Sequence, residues 1–285
     1  MYWIRDVEVF AGQKRFESLG DNALSIEFDI PFGEKEEPDV SEVKIYNLSD
    51  DTINDIKRDG YIYINAGYKE AKNKANVLTG EIEDIKTEWQ GLDKVTTITV
   101  SDGAKAWRTA TLNNTYAEGT KASFIMRDLC NVLGYEIVAI EPVNDIEYKL
   151  GKTITGTASA SLSQLAEDTK SKLFINKNRV VIRDQNIGYQ TGFVLSAGTG
   201  LIGSSTLDKD ESGDKTYEVD DKKAKKKNKE TAKSWTVQCL LNARIETDSV
   251  IKIESKVING TFRVVSGKHS CNESDFITEI KVVEV

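Results

Sequence analysis

The chain has 285 residues, 39% of them hydrophobic, enough for one large or two to three small domains with ordinary cores. Its formal net charge of −8 argues against nucleic acid as the main ligand, because phosphate contacts need a basic face. No run approaches the roughly 18 apolar residues of a membrane span, and the opening MYWIRDVEVF lacks the basic patch and long apolar core of a signal peptide.

Residues 1–10 alternate as a first strand, with Tyr2, Ile4 and Asp6 on one face and Trp3, Arg5 and Val7 on the other. After a polar turn at Gly20-Asp21, Leu24, Ile26, Phe28 and Ile30 share one face of a second strand. Pro31 and Pro38 bracket an acidic stretch, FGEKEEPDV, expected to be a mobile loop. The strand SEVKIYNLS follows, with Val43 and Ile45 inward. Ser49 then caps a short helix, Asp50–Arg58, whose first-turn aspartates complement the helix dipole, and Gly60 is placed as its left-handed stop. YIYINAGY, NVLTGEIEDIKTEW and KVTTITVSDG supply three further strands, so this part reads as a small barrel or sandwich.

Between Asn113 and Gln190 the period changes. Thr120 is expected to cap an amphipathic helix with Ile125, Leu129, Val132 and Leu133 as its apolar stripe and Gly134 as its stop. A strand Tyr135–Ile140 follows. Beyond Pro142 a similar theme recurs, with Leu162, Leu165 and Ala166 on one helix face, a strand Leu173–Asn176 and a hairpin turning at Asn176–Asn178. Two copies are too few for a solenoid, so the region reads as a pair of small α/β elements.

Residues 193–207 return to short strands. The stretch 208–233 is nearly free of apolar residues, acidic first and lysine-rich second; it cannot bury enough surface to offset its ordering entropy and is expected to be a mobile insertion. From Trp235 the strand pattern resumes: Val237, Cys239 and Leu241 alternate with polar neighbours, and Ile251 and Ile253 share a face. Asn259-Gly260 is placed as the turn of a hairpin between Lys256–Ile258 and Thr261–Val265, and Phe276–Val285 is the closing strand.

The residues offer little chemistry. Cys130, Cys239 and Cys271 are widely spaced without a C-x-x-C pair and read as structural thiols of a reducing cytoplasm; the single histidine cannot complete a Cys/His zinc cluster. His269 beside Ser270, with Asp275 nearby, lacks a nucleophile elbow and reads as a structural histidine. GTASAS and AGTGLIG are not phosphate-binding loops, since neither matches the P-loop pattern or opens a βαβ unit. Glu81, Glu83 and Asp84 lie on what reads as a charged strand edge, and Trp3, Trp89, Trp107 and Trp235 read as core or interface anchors. The run Lys222, Lys223, Lys225, Lys226, Lys227 and Lys229 reads as a solvated polyampholyte segment, and is the one candidate contact with DNA or an acidic partner. No catalytic, cofactor-binding or metal-binding residue is assigned, and the chain is read as a non-enzyme.

The order of these pieces resembles the baseplate hub family of contractile phage tails and tail-like particles, related to the N-terminal hub region of tail-associated proteins. Tyr46, Asn47, Leu48 and Ser49 ending a strand before a short helix, then Gly67-Tyr68 and Gly80 in LTGEIEDI, are similar to the family's N-terminal tube-like barrel. Residues Asn113–Gly134 resemble its first helical insert, and TGLIGSS the start of its second barrel. LLNARI, INGTFRV, SGKHS and TEIKVVEV resemble that barrel's body.

The fold so implied is mainly β with α+β inserts: two small tail-tube-like β-barrels, 1–110 and 193–285, flanking a middle α/β region, 111–192, with the charged insertion 208–233 in the second barrel. The function implied is a homotrimeric ring that joins the sixfold tail tube to the threefold central spike. Its partners would be its own copies, the tube or tube-initiator protein, the spike, other baseplate proteins and the tape-measure protein, with no membrane anchor. It would assemble in the bacterial host cytoplasm and end in the virion or particle. An acidic lumen that repels DNA phosphates follows from the −8 charge. The chain's ending after the second barrel favours the contractile type. The competing readings are a receptor- or carbohydrate-binding module, which needs aromatics clustered on one exposed face, and a cell-wall hydrolase of the tail tip, which needs a paired acid/base or Cys/His site.

Overall fold

The computed structural model describes residues 4–56, 58, 60–101, 103–207 and 234–285. The N-terminal part contributes β1 (Arg5–Ala11), β2 (Lys14–Glu17), β3 (Ile26–Gly33), β4 (Val40–Tyr46), helix α1 (Asp50–Asp55), β5 (Tyr61–Tyr68), β6 (Ala75–Gln90) and β7 (Asp93–Ser101). Period-two patterning decides which faces turn inward. Ser41, Val43 and Ile45 of β4, Ile62, Ile64 and Ala66 of β5, and Ile26, Phe28 and Ile30 of β3 all point into one apolar cluster around which these strands wrap.

Three expectations change here. The four-residue β2 pairs with β1 across a turn at Gly12, a hairpin that the polar composition of Lys14–Glu17 concealed. The acidic stretch after Pro31 is no free loop: β3 runs through Pro31 to Gly33, Phe32 is buried, Asp39 is buried against Lys35, and Glu34 is tied into the ion-pair chain described below. Helix α1 begins at Ser49, whose hydroxyl accepts from Thr52 N, but it ends at an extended Ile56, short of Arg58 and Gly60. Ile56 is buried in the N-terminal core, and that burial fixes where the helix stops.

The middle part holds α2 (Ala104–Thr109), β8 (Thr111–Tyr116), β9 (Thr120–Lys121), α3 (Ala122–Leu133), β10 (Glu136–Ile140), β11 (Glu147–Tyr148), β12 (Lys152–Thr157), α4 (Ala158–Asp168), β13 (Lys172–Asn176) and β14 (Arg179–Arg183). Strands β10, β14 and β13 form one small sheet, with β10 parallel to β14. Helix α3 buries Ile125, Met126, Leu129, Cys130 and Leu133 against α4's Leu162, Leu165 and Ala166 and the inner face of that sheet. Each fully buried large side chain contributes about 1.5–3 kcal/mol. The two recurring elements therefore share a single core. Val132 lies outside it and is exposed. The α3 cap is also tertiary: Ser123 N and Oγ both donate to the Asp145 carboxylate at 2.9 Å, while the Thr120 hydroxyl donates back to Ala117 O. Gly134, with φ 77°, ends α3 as expected.

The C-terminal part comprises β15 (Tyr189–Leu195), β16 (Leu201–Leu207), β17 (Ser234–Leu240), β18 (Ser249–Glu254), β19 (Asn259–Cys271) and β20 (Phe276–Glu284). Val237, Cys239, Ile251, Ile253, Phe262, Val264, Ile280 and Val282 make its core. The Asn259-Gly260 turn is corrected: both residues already sit in the ladder, opposite Glu254 and Ile253. The chain reverses at Ser255–Ile258 instead. There the Ser255 hydroxyl accepts from Val257 N and Ile258 N and donates to Ile258 O, and Asn259 Nδ2 donates to Ser255 O.

Strand β19 organises the whole molecule. One edge pairs with β20, while the other pairs first with β18 and then, from Ser266 to Cys271, with β3. The N- and C-terminal strands thus form one sheet of thirteen strands, ordered β16-β17-β20-β19-β3-β4-β7-β6-β5-β1-β2 with β18 and β15 branching from β19. Apolar packing follows the seam, since Leu241, Ala243, Cys271 and Phe276 complete the N-terminal core and Phe32 enters the C-terminal one. Tyr68 Oη donates to Phe276 O at 3.0 Å, and Arg5 donates to Asn272 O and Ser274 O in the β19–β20 turn. The result is a mainly β fold carrying a small helical insert.

Candidate functional site

The middle part meets the other two through charge. Alternation sends Leu173, Ile175, Val180 and Ile182 of β13 and β14 into the helical core, and leaves Lys172, Phe174, Asn176, Arg179, Val181 and Arg183 on the opposite face. Lys172 contacts Glu34 at the end of β3; Glu34 contacts Arg263 of β19; Arg263 Nη1 lies 3.1 Å from Asp248 Oδ1; and Asp248 contacts Arg183. One alternating chain of five charges therefore touches all three parts.

A shorter chain runs beside it. Lys177 and Arg179 converge on Glu246 at 2.7 and 2.5 Å, and Lys177 Nζ also donates to Asn76 O at 2.8 Å. The backbone is shaped to allow this. Lys177 and Asn178 take positive φ of 53° and 59° to make the β13–β14 turn, and Asp248 sits at φ 71°, a conformation that aspartate tolerates better than most residues.

Burial makes these pairs strong and costly to break. Glu246 is raised by desolvation, but Lys177 and Arg179 outweigh this and hold its carboxyl below the usual range. Burial, with the neighbouring Arg263 and Arg183, pushes the Lys172 ammonium down to about 7 against the pull of the Glu34 carboxylate in contact with it. A cavity of about 680 Å³ opens beside the two chains, lined by Asn76 and Thr79, by the outward face of β13 and β14, and by Ala243, Arg244 and Glu246–Ser249.

His269 lies inside the sheet, its Nδ1 at 2.9 Å from Thr278 Oγ1, and burial drives it down to about 3, so it is neutral. Asp275 belongs to an exposed turn, and the partner of His269 Nδ1 among the described residues is the Thr278 hydroxyl rather than a carboxylate. The three cysteines are free and buried, and burial pushes each thiol up to about 12.

Glu81 pairs with both β5 and β7, whereas Glu83 and Asp84 lie beyond the end of β5, beside β7 alone, on a strand edge as expected; Glu83 accepts from Ser101 Oγ and Arg108, and Asp84 pairs with Arg58. Trp107 is in the middle core and Trp235 packs half-buried against the C-terminal one, whereas Trp89 stands exposed beside Leu92 at the β6–β7 turn. Trp3 and the candidate contacts Lys222, Lys223, Lys225, Lys226, Lys227 and Lys229 lie outside the described residues. Among the described residues no group of His, Cys, Asp or Glu could hold a metal ion, and no helix is long and apolar enough to cross a membrane. Sequence reading missed the junction altogether. Its only local signal was the pattern of charges flanking apolar residues in KLFIN and RVVIR.

No protein-family model matches the chain, and no curated protein matches it by sequence. Its fold does match solved structures. A 43 kDa tail protein of prophage MuSo2 from Shewanella oneidensis is similar with a TM-score of 0.68 at 12% identity, covering 99% of this chain and 97% of that one. A tail protein from Neisseria meningitidis gives 0.66 at 10% identity, with the same coverage of 99% and 97%. An E. coli component of the type VI secretion system, described as structurally similar to tail proteins of bacteriophage T4, gives 0.59 at 10% identity over 98% of this chain and 76% of that one. The chain has the fold shared by these phage-tail and secretion-system proteins, as the resemblance in its sequence implied.

Proposed function

We propose that the protein is a structural baseplate hub: three copies close into a ring that joins a sixfold tail tube to a threefold central spike in a phage tail or tail-like particle. The observation that carries this is the fusion of two strand-built units, through β3 and β19, into one sheet, in a chain similar end to end to prophage tail proteins. Two tube-like units in each of three copies supply six positions, which is what a sixfold-to-threefold adaptor needs. We assign the units as 1–110 and 193–285, with 111–192 as the α/β insert between them.

The partners are then its own copies, the tube or tube-initiator protein, the spike, other baseplate proteins and the tape-measure protein. Assembly takes place in the host cytoplasm, and the ring's lumen is acidic. The role is mechanical and non-enzymatic: the neutral buried His269 and the buried thiols suit a packed core rather than a reacting centre. Light scattering on the purified protein tests the proposal. A mass near three times 31.7 kDa, with threefold rings by negative stain, supports it; a persistent dimer at all concentrations and salts overturns it.

A further inference from the structure

We propose that copies of the chain join by strand pairing: the free half of β6, Ile85–Gln90, pairs antiparallel with the outer edge of β16 in the next copy, repeating the seam that joins β19 to β3 within one chain. The inference rests on the hub reading for the number of copies, and on an internal repeat for the strands it assigns.

The repeat lies in topology and register. Strand order is β3-β4-β7-β6-β5 in the N-terminal part and β16-β17-β20-β19-β18 in the C-terminal part. Residue pairs correspond one by one. Glu81, Ile82 and Asp84 of β6 face Ser101, Val100 and Thr99 of β7; Arg263, Val264 and Ser266 of β19 face Val283, Val282 and Lys281 of β20, every residue displaced by the same number of positions. Both long strands bulge at the same place, Glu83 and Val265. Beyond the bulge the same cross-strand contact recurs, Thr87 Oγ1 at 3.1 Å from Thr96 Oγ1 and His269 Nδ1 at 2.9 Å from Thr278 Oγ1. Strand β5 covers its partner as far as Glu81, and β18 covers its own as far as Arg263, the matching residue.

From there the two strands differ. Strand β19 continues along β3, Ser266–Cys271 against Phe28–Gly33, whereas the matching stretch of β6 has β7 alone and its residues 87–90 are exposed. Strand β16, the counterpart of β3, pairs with β17 and ends the sheet among the described residues. Each chain thus presents, bare, both sides of a seam that it also contains finished. Native proteins cover edges of this kind. Because the two sides are unlike surfaces, the contact passes head to tail from copy to copy, and closes where the rotation allows. A side chain agrees. Trp89 holds the place of Cys271, which crosses the finished seam into the N-terminal core, yet in its own chain Trp89 is 71% exposed. Paired with β16, it packs against the C-terminal core of the next copy, as a large aromatic anchor does at an interface.

In the finished seam Ser270 faces Asp29; by the same register the pair between copies is Glu88 and Thr206. Opposed residues of an antiparallel pair lie about 4.5–5.5 Å apart at Cα, within reach of a disulfide. The test is oxidation of the full-length protein carrying both Glu88→Cys and Thr206→Cys, followed by a non-reducing denaturing gel, with light scattering for the mass before oxidation. The native thiols are buried and stay out of the reaction. The expected result is a covalent trimer from the double variant and single chains from either variant alone. Trp89→Glu should weaken assembly by about tenfold or more, with an unchanged circular dichroism spectrum. A trimer by mass that does not crosslink overturns the seam and leaves the hub reading standing, as does unchanged assembly in Trp89→Glu. A crosslinked dimer, or a ladder of bands running past three chains, supports the seam and overturns the hub. A chain that stays monomeric at millimolar concentration overturns both.

Discussion

Alanine at position 267 places a methyl group where the two strand-built halves share a backbone. Gly267 faces Ile280 of β20 on one side and Phe32 of β3 on the other. A Cβ there lies 2.5 Å from Glu279 O and 2.5 Å from Phe32 Cζ, closer than real carbon contacts come. Glu279 cannot retreat without leaving the β19–β20 ladder, and Phe32 is packed in the C-terminal core. Overpacking of this kind costs about 1–3 kcal/mol, and with a ladder carbonyl as the obstacle the upper end applies. At about 2–4 °C per kcal/mol for a chain of this size class, Gly267→Ala should lower the melting temperature by roughly 6–12 °C. Gly33→Ala is the matched control on the same seam: its nearest contact is Ser266 Cβ at 3.3 Å, so it should cost under about 1 kcal/mol. Calorimetry gives the midpoints, and hydrogen exchange should show β3 and β20 losing protection together in Gly267→Ala. Equal melting temperatures for the two variants, or no loss in Gly267→Ala, would refute the seam as described.

Glu34→Gln removes the carboxylate between Lys172 and Arg263; with both cations buried it should cost about 3 kcal/mol in urea unfolding and expose β13 to exchange first. His269 has its folded pKa near 3, below the ordinary 6.5, so the unfolded chain takes up a proton that the folded one refuses. Stability should therefore fall as pH drops from 6.5 toward 3, by about 1.4 kcal/mol per unit from this residue, and His269→Gln should show that much less slope than the parent. Tyr68→Phe removes one of the two donors to Phe276 O, leaving Leu241 N at 3.1 Å, and should cost about 0.5–1 kcal/mol by chemical denaturation. Cys130, Cys239 and Cys271 should resist Ellman's reagent in the native protein and react together on unfolding; a fast-reacting thiol at neutral pH would contradict their burial.

What could be read from the sequence was local and periodic. The inward sets Val43/Ile45, Val237/Cys239 and Leu162/Leu165/Ala166 emerge where alternation or helical spacing places them, because burial on one face writes that period directly. The order of the N-terminal strands around a Ser49-capped helix carried the resemblance to tail proteins, and the fold matches. What failed depended on partners far along the chain. Asn259-Gly260 was placed as a turn, but Ser255 with its hydroxyl supplies a competing reversal that closes first. Thr120 has the chemistry of a cap, yet Asp145 takes that place from another loop. The acidic stretch after Pro31 looked solvated because the cations that hold Glu34, Lys172 and Arg263, lie on other strands. The charged junction was invisible for the same reason: each of its members is an ordinary surface residue until the three parts meet.

The seam also sets a schedule for synthesis. Strand β3 is complete by Gly33, but the strand that covers its open edge ends at Cys271; Glu34 and its partner Arg263 are 229 residues apart. At about 5–20 residues per second, the ribosome takes roughly 11–46 s to bridge that interval. For that time the nascent N-terminal half carries an unpaired edge flanked by Phe28, Ile30 and Phe32, the kind of template on which chains join wrongly. Lys268 and Asp29 pair across the finished seam, and until then Asp29, with Glu27, is the charge that keeps this edge from its like on a neighbouring polysome. The C-terminal third is in effect the chaperone of the first.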